Sequence, residues 1–214
     1  MILLKEVSFD VVVACWLRAE LSSLRFRPRV VKALRNLRIP RRVIERPILT
    51  SPRENFLRQK TLERYRGDIW GTFPSDTHWW RGTITGEEFR RLRVINYPTW
   101  TLLSRNAGRL STVAHVIAGE TVSAKKRGGW AQEVQAVITN VREIQDRRKV
   151  ADILQHQLIL MGRPKGKTWT ILEGNKRGAA LYIRCLLAKI EPLPASLPVL
   201  VGTTAKPFPW LRVR

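Results

Sequence analysis

The chain has 214 residues, 44% of them hydrophobic and 26% charged, which suits one packed domain with a small extension and argues against wholesale disorder. Its 39 Lys and Arg against 17 Asp and Glu give a formal net charge of +22 and a pI of about 11.4, a field that draws nucleic acid, nucleotides or an acidic lipid surface. The two cysteines, Cys15 and Cys185, lack CxxC spacing, no run approaches the length of a membrane span and no signal-peptide pattern is present, so a cytoplasmic setting away from the membrane is expected.

Taken in order, residues 8–24 carry apolar positions at helical spacing behind Ser8, a plausible N-cap. A basic stretch follows with Arg25, Arg27, Arg29, Lys32, Arg35, Arg38, Arg41, Arg42 and Arg46. Val30, Val31, Leu34 and Leu37 would lie on one face of a helix there and the cations on another, with Pro40 ending it. These cations either track a phosphate backbone or solvate a short helix. Ser51-Pro-Arg-Glu54 reads as a capping box with Pro at the first helical position. The helix it opens is expected to stop at Tyr65 or Arg66, before Gly67.

Residues 68–80 are rich in turn formers and hold Trp70, Trp79 and Trp80 beside His78. They read either as a loop packed on the core by its aromatics or as a stacking platform for a base. Thr85-Gly-Glu-Glu88 is a second capping box. Val94-Ile95 and Trp100–Leu103 read as short strands, and 109–118 as a helix closed by Gly119. Lys125-Lys-Arg-Gly-Gly129 reads as a flexible basic loop. A long helix is expected from Trp130 onward, on the stripe Val134, Val137, Ile138, Val141 and Ile144.

The C-terminal quarter is the most patterned part. Gln157–Met161 is a short apolar strand, Gly162-Arg-Pro-Lys-Gly-Lys167 a basic loop, and Thr168–Leu172 a β-branched strand ending at Glu173-Gly174. Asn175 is a good N-cap for a helix whose buried face is Ala179, Ala180, Leu181, Ile183, Leu186 and Leu187. A Pro-rich connection then leads into a strand over Val199–Thr203. Gly174 suits a tight strand-to-helix turn, and cations at the positive end of the helix suit an anion. The plain alternative is a βα corner with solvated Lys176 and Arg177.

Over residues 157–204 this order of elements resembles the ParB/sulfiredoxin superfamily, whose members carry a strand ending in an acidic residue and Gly, two variable residues, an Arg, and an Ala-rich helix. The resemblance implies an α+β fold with a small mixed sheet, its core preceded by a helical, basic N-terminal region. The expected division is 1–66 for that region and 67–214 for the ParB/sulfiredoxin-like domain, with a helical insertion at about 105–156. It implies nucleotide or phosphate binding, with Gly174 as the turn glycine and Arg177 as the phosphate-contacting arginine. Asn175 and Lys176 would complete the phosphate site, and Lys165 or Lys167 would lie over the ligand. Asn175 and Lys176 stand where sulfiredoxins carry Cys-His, so the sulfiredoxin thiol reaction is not expected.

Glu173 is the best candidate for a general base or Mg²⁺ contact, and His78 is the histidine to watch. A nucleotide, ATP or CTP with Mg²⁺, is the expected cofactor, and no protein metal site is expected. Neither a Walker loop nor a His-Glu-x-x-His or zinc spacing is present. Two readings follow. One is a phosphate-binding protein that carries out phosphoryl transfer or phosphate-ester hydrolysis. The other is a non-catalytic DNA-binding protein working through Arg25, Arg27, Arg29, Lys32, Arg35, Arg38, Arg41 and Arg42, with an RNA-associated structural role as a third.

Overall fold

The computed structural model describes residues 1–23, 25–119 and 131–211. Its strands are Ile2–Val7 (β1), His78–Thr85 (β2), Arg93–Val94 (β3), Leu158–Gly162 (β4), Trp169–Glu173 (β5) and Ser196–Thr203 (β6). They form one mixed sheet in the order β1-β2-β6-β4-β5-β3. β6–β4 and β5–β3 are parallel pairs and the other three are antiparallel. β4 lies between β6 and β5 and is buried along its whole length, as its unbroken apolar run requires of a strand covered on both sides. The fold is α+β with a small mixed sheet, as expected.

The helices are Phe9–Leu21 (α1), Arg27–Asn36 (α2), Arg42–Glu45 (α3), Pro52–Trp70 (α4), Gly86–Arg90 (α5), Pro98–Leu103 (α6), Leu110–Gly119 (α7), Ala131–Arg147 (α8), Val150–Leu154 (α9) and Asn175–Tyr182 (α10). α1 packs on α2, α3 and α4, and α10 on α7, α8 and α9. Val12, Trp16 and Val43 belong to the same buried cluster as Ile159, Leu181 and Val201, so the N-terminal helices and the sheet share one core. No described helix is long and apolar enough to cross a membrane.

Several expectations change on contact with tertiary structure. Ile2–Val7, to which the sequence pattern assigns no element, forms the edge strand β1. α2 closes at Asn36, with Arg38 in the left-handed region at φ 53°, before Pro40 can act. Trp100–Leu103 is helical because Pro98 opens α6 at its first turn. The box at Thr85 forms completely, whereas the one at Ser51 forms by half. Ser51 Oγ accepts the Glu54 amide, but the Glu54 carboxylate turns to the Ile48 amide, Arg42 and Arg58. α4 does not stop at Arg66: that residue is non-helical (φ −131°, ψ 40°) and the helix resumes to Trp70. The basic loop expected at 125–129, and Trp130, lie outside the described residues.

The aromatic segment after α4 is part of the core and not a platform. Phe9 stacks on Trp70 at 5.3 Å and on Trp79 at 5.6 Å, and Phe73 stacks on Phe208 at 5.4 Å. Trp70 and Trp79 are thus packed against other rings of the core, while Trp80 lines a separate cavity.

Candidate functional site

The turn from β5 into α10 is built by Gly174, which serves as the N-cap at φ +96°. A Cβ there would meet Leu158 Cδ2 at 2.6 Å and Arg177 Nη2 at 2.9 Å, so both the backbone and the space select glycine. Asn175 is therefore the first helical residue and not the cap. Its Oδ1 accepts the Ile95 amide at 3.1 Å and its Nδ2 donates to Ile171 O at 3.0 Å. It ties the turn to the residue after β3 with one acceptor and one donor of its amide.

Arg177 is also spoken for. It is buried, donates to His156 O at 2.6 Å and pairs with the Glu173 carboxylate. The residue expected to contact phosphate instead holds the turn against the segment entering β4. Glu173, the expected base, is its counter-ion.

Lys176 differs from its neighbours. It has neither a hydrogen bond nor an ion pair among the described residues, and its Nζ lies 4.2 Å from the centre of the Phe26 ring. Burial lowers its pKa to about 8, while the carboxylates of Glu20 and Glu173 oppose that shift. It remains a cation at neutral pH, its ammonium over the Phe26 ring and its side chain lining an open space.

That space is a cavity of about 360 Å³. The turn from Glu173 to Arg177 forms one wall. Trp16, Glu20, Arg25, Phe26 and Arg29 form a second, joined by Arg66 of α4, and Glu133, Glu143 and Arg147 of α8 with Arg148 just after it complete the lining. The fold thus brings together the C-terminal motif and the first and third cations of the N-terminal basic stretch, Arg25 and Arg29. No side chain caps α10, and the residues of its first turn, whose N–H groups have no partner within the helix, line this cavity.

One lining residue had not been singled out in the sequence. Glu20 is 4% exposed. Trp16 Nε1 donates to its Oε1 at 3.4 Å, and its other oxygen has no hydrogen-bond partner among the described residues. Burial and the nearby Glu173 push its carboxyl up to about 7, against the attraction of Arg66 and Lys176. The signal was present in the pattern: Val13, Trp16, Leu17 and Glu20 fall on one helical stripe, and Glu20 is the charged residue on it. His156 lines the cavity as well. Burial and then Arg177, Arg18 and Arg148 hold it neutral, with a pKa lowered to about 4.

The remaining expected residues are elsewhere. Glu173 aligns with Ile159, Leu200 and Arg81 across the sheet, whereas His78 pairs with Thr203. His78 therefore lies three strands and three residues away, roughly 17 Å from the strand spacings, and contacts Glu6 at 3.2 Å. Lys165 and Lys167 sit at the opposite end of the β4–β5 hairpin from Glu173, about 13 Å along the strand, beside a second cavity with Trp80 and Trp169. Neither lysine can lie over a ligand held at Lys176. Of the basic stretch, only Arg25 and Arg29 line the first cavity. Arg27, Lys32, Arg35 and Arg38 are exposed, Arg41 pairs with Glu45, and Arg42 pairs with Glu54.

Comparison with protein-family models, curated proteins and solved structures finds no match.

Proposed function

We propose that the cavity binds a nucleotide or another phosphate compound, with the phosphate at the N-terminus of α10. The observation that carries this reading is Lys176, a largely buried cation that lies over the Phe26 ring with no hydrogen-bond or ion-pair partner among the described residues, at a helix end that no side chain caps. Arg25, Arg29, Arg66, Arg147 and Arg148 line the same cavity and add positive potential. Trp16, Phe26, Tyr97 and Trp100 supply flat apolar walls suited to a base or sugar, the mix of apolar lining and few convergent polar groups common to small-molecule sites. The resemblance of Glu173–Arg177 to the ParB/sulfiredoxin motif points the same way, with Lys176 in the contacting role in place of Arg177. Among the described residues no group of three or more His, Cys, Asp or Glu is placed to hold a metal ion. A Mg²⁺ ion entering with ATP or CTP would take most of its ligands from phosphate and water.

The test is a thermal-shift panel of AMP, ATP, ADP, CTP and GTP, with and without Mg²⁺, on the wild type and Lys176→Ala. A nucleotide-selective rise in Tm that the variant loses is the expected result. Equal small shifts for every polyanion in both proteins would show that net charge alone acts, and the site would be abandoned.

A second reading has its own observation. Arg27, Lys32, Arg35 and Arg38 are exposed on or just after α2 with no ion-pair partner among the described residues, a strip of cations open to a nucleic-acid backbone.

A further inference from the structure

We propose that the cavity is the active site of a phosphate monoester hydrolase in which Glu20 is the general acid that protonates the leaving oxygen. The inference rests on the phosphate-binding reading above and names the reaction and the substrate class. Its geometric basis is a carboxyl group 4% exposed, lining the same cavity as Lys176 and the open end of α10, with one oxygen unpartnered.

A buried carboxylate beside a bound phosphate would be repelled by it, so Glu20 is compatible with this ligand only in its protonated form. The groups facing it favour that form on balance. Glu173 from β5 raises its proton affinity, Arg66 from α4 and Lys176 from α10 lower it, Trp16 of its own helix donates to it, and burial dominates. Tyr65 of α4, whose hydroxyl is buried without a partner, stays protonated for the same reasons of burial and the proximity of Glu20. Of the four carboxyl groups that line the cavity, Glu173 is ion-paired to Arg177, Glu133 accepts from Thr99 Oγ1 at 3.3 Å, and Glu20 is near its midpoint at neutral pH. Separation of this kind is how a pair of acids is sorted into roles.

The chemistry balances with water as the only co-reactant. The P–O bond to the alcohol breaks and its electron pair goes to the ester oxygen, which takes the proton from Glu20. Water forms the new P–O bond, and one of its protons passes by way of the released phosphate to the Glu20 carboxylate. Alcohol and inorganic phosphate leave, and the acid is restored. At about 360 Å³ the cavity is at the small end of ligand sites, with room for one ester and a water. With Trp16, Phe26, Tyr97 and Trp100 in its walls, a nucleoside monophosphate is the expected class.

Phosphate release from AMP, CMP and 4-nitrophenyl phosphate by the full chain and by Glu20→Gln tests this. The wild type should cleave all three, with rates on AMP and CMP falling as pH rises through about 7, where Glu20 loses its proton. Glu20→Gln should lower kcat on the nucleotides by roughly 10²–10⁴-fold and much less on 4-nitrophenyl phosphate, since nitrophenolate leaves without a proton. The rise in Tm with AMP should remain, which also shows that the variant is folded. An equal loss on both kinds of ester, or no loss at all, overturns the role of Glu20. A wild type that AMP stabilises but that releases no phosphate overturns the hydrolase and leaves the binding reading standing. No stabilisation and no turnover would remove both.

Discussion

Adjacent residues at the start of α10 have opposite duties. Arg177 is internal structure: removing it would strip Glu173 of its counter-ion and His156 O of its donor in a buried setting. Arg177→Ala should cost about 3–5 kcal/mol, the usual penalty for leaving one member of a buried pair alone. Lys176→Ala breaks no hydrogen bond or ion pair and should cost less than about 1 kcal/mol. Urea denaturation of the two variants without ligand checks this, and equal costs would show that Lys176 is also structural. The consequence for function is practical. Loss of ligand binding in Arg177→Ala would be uninformative because the fold itself is disturbed, whereas loss in Lys176→Ala would report on the site.

Among the elements, α4 shows how a local signal can be redirected by its neighbours. Ser51-Pro-Arg-Glu54 starts the helix as its residues require, yet the Glu54 carboxylate is drawn away by a better set of donors. The Ile48 amide first and Arg42 next hold it below the usual carboxylate range. It also faces Arg58, which is fully buried and spans to Val43 O and Ile48 O. A carboxylate with a lowered pKa contributes stability that is present above the ordinary value of 4.5 and disappears as pH falls below it. Glu54→Gln should therefore lower the urea midpoint at pH 7 and differ little from the wild type at the most acid pH where both still fold. A gap that persists unchanged into acid would assign Glu54 a packing role only. The α10 turn shows the opposite case, a local signal that survived intact. Gly174 adopts the left-handed conformation that an early glycine between a strand and a helix suggests, and only the identity of the cap moved, by one residue.

At the scale of the whole molecule, the excess of positive charge divides between a cavity and a surface. Arg25, half-buried, and Arg29, exposed, line the cavity that Lys176 also lines, while Arg27, Lys32, Arg35 and Arg38 are exposed away from it. If the outer strip contacts nucleic acid, affinity should fall steeply with salt, by a slope of roughly −0.9 for each phosphate neutralised on duplex DNA. Replacing Lys32 and Arg35 together by Ala should then reduce that slope by about 2 without altering the nucleotide-dependent rise in Tm. A slope unchanged by the double substitution would show that α2 makes no backbone contact.

The chain's own residues determined the α+β class, the placement of β4, β5 and β6, the turn at Gly174 and the presence of a cationic helix end, because each depends on neighbours within one turn or one strand. Lys176 was already among the expected ligands for that reason. What only the tertiary structure decided is which charges are used up. Arg177 and Asn175 carry the right chemistry for a phosphate, but partners at His156, Ile95 and Ile171 consume it. Lys165, Lys167 and His78 are near the motif in composition or sequence, yet strand direction puts them at the far end of the sheet. Glu20 is 153 residues from Glu173 along the chain, and no periodicity relates the two. Its proton affinity arises from burial and from charges on other elements, and neither exists until the chain has folded.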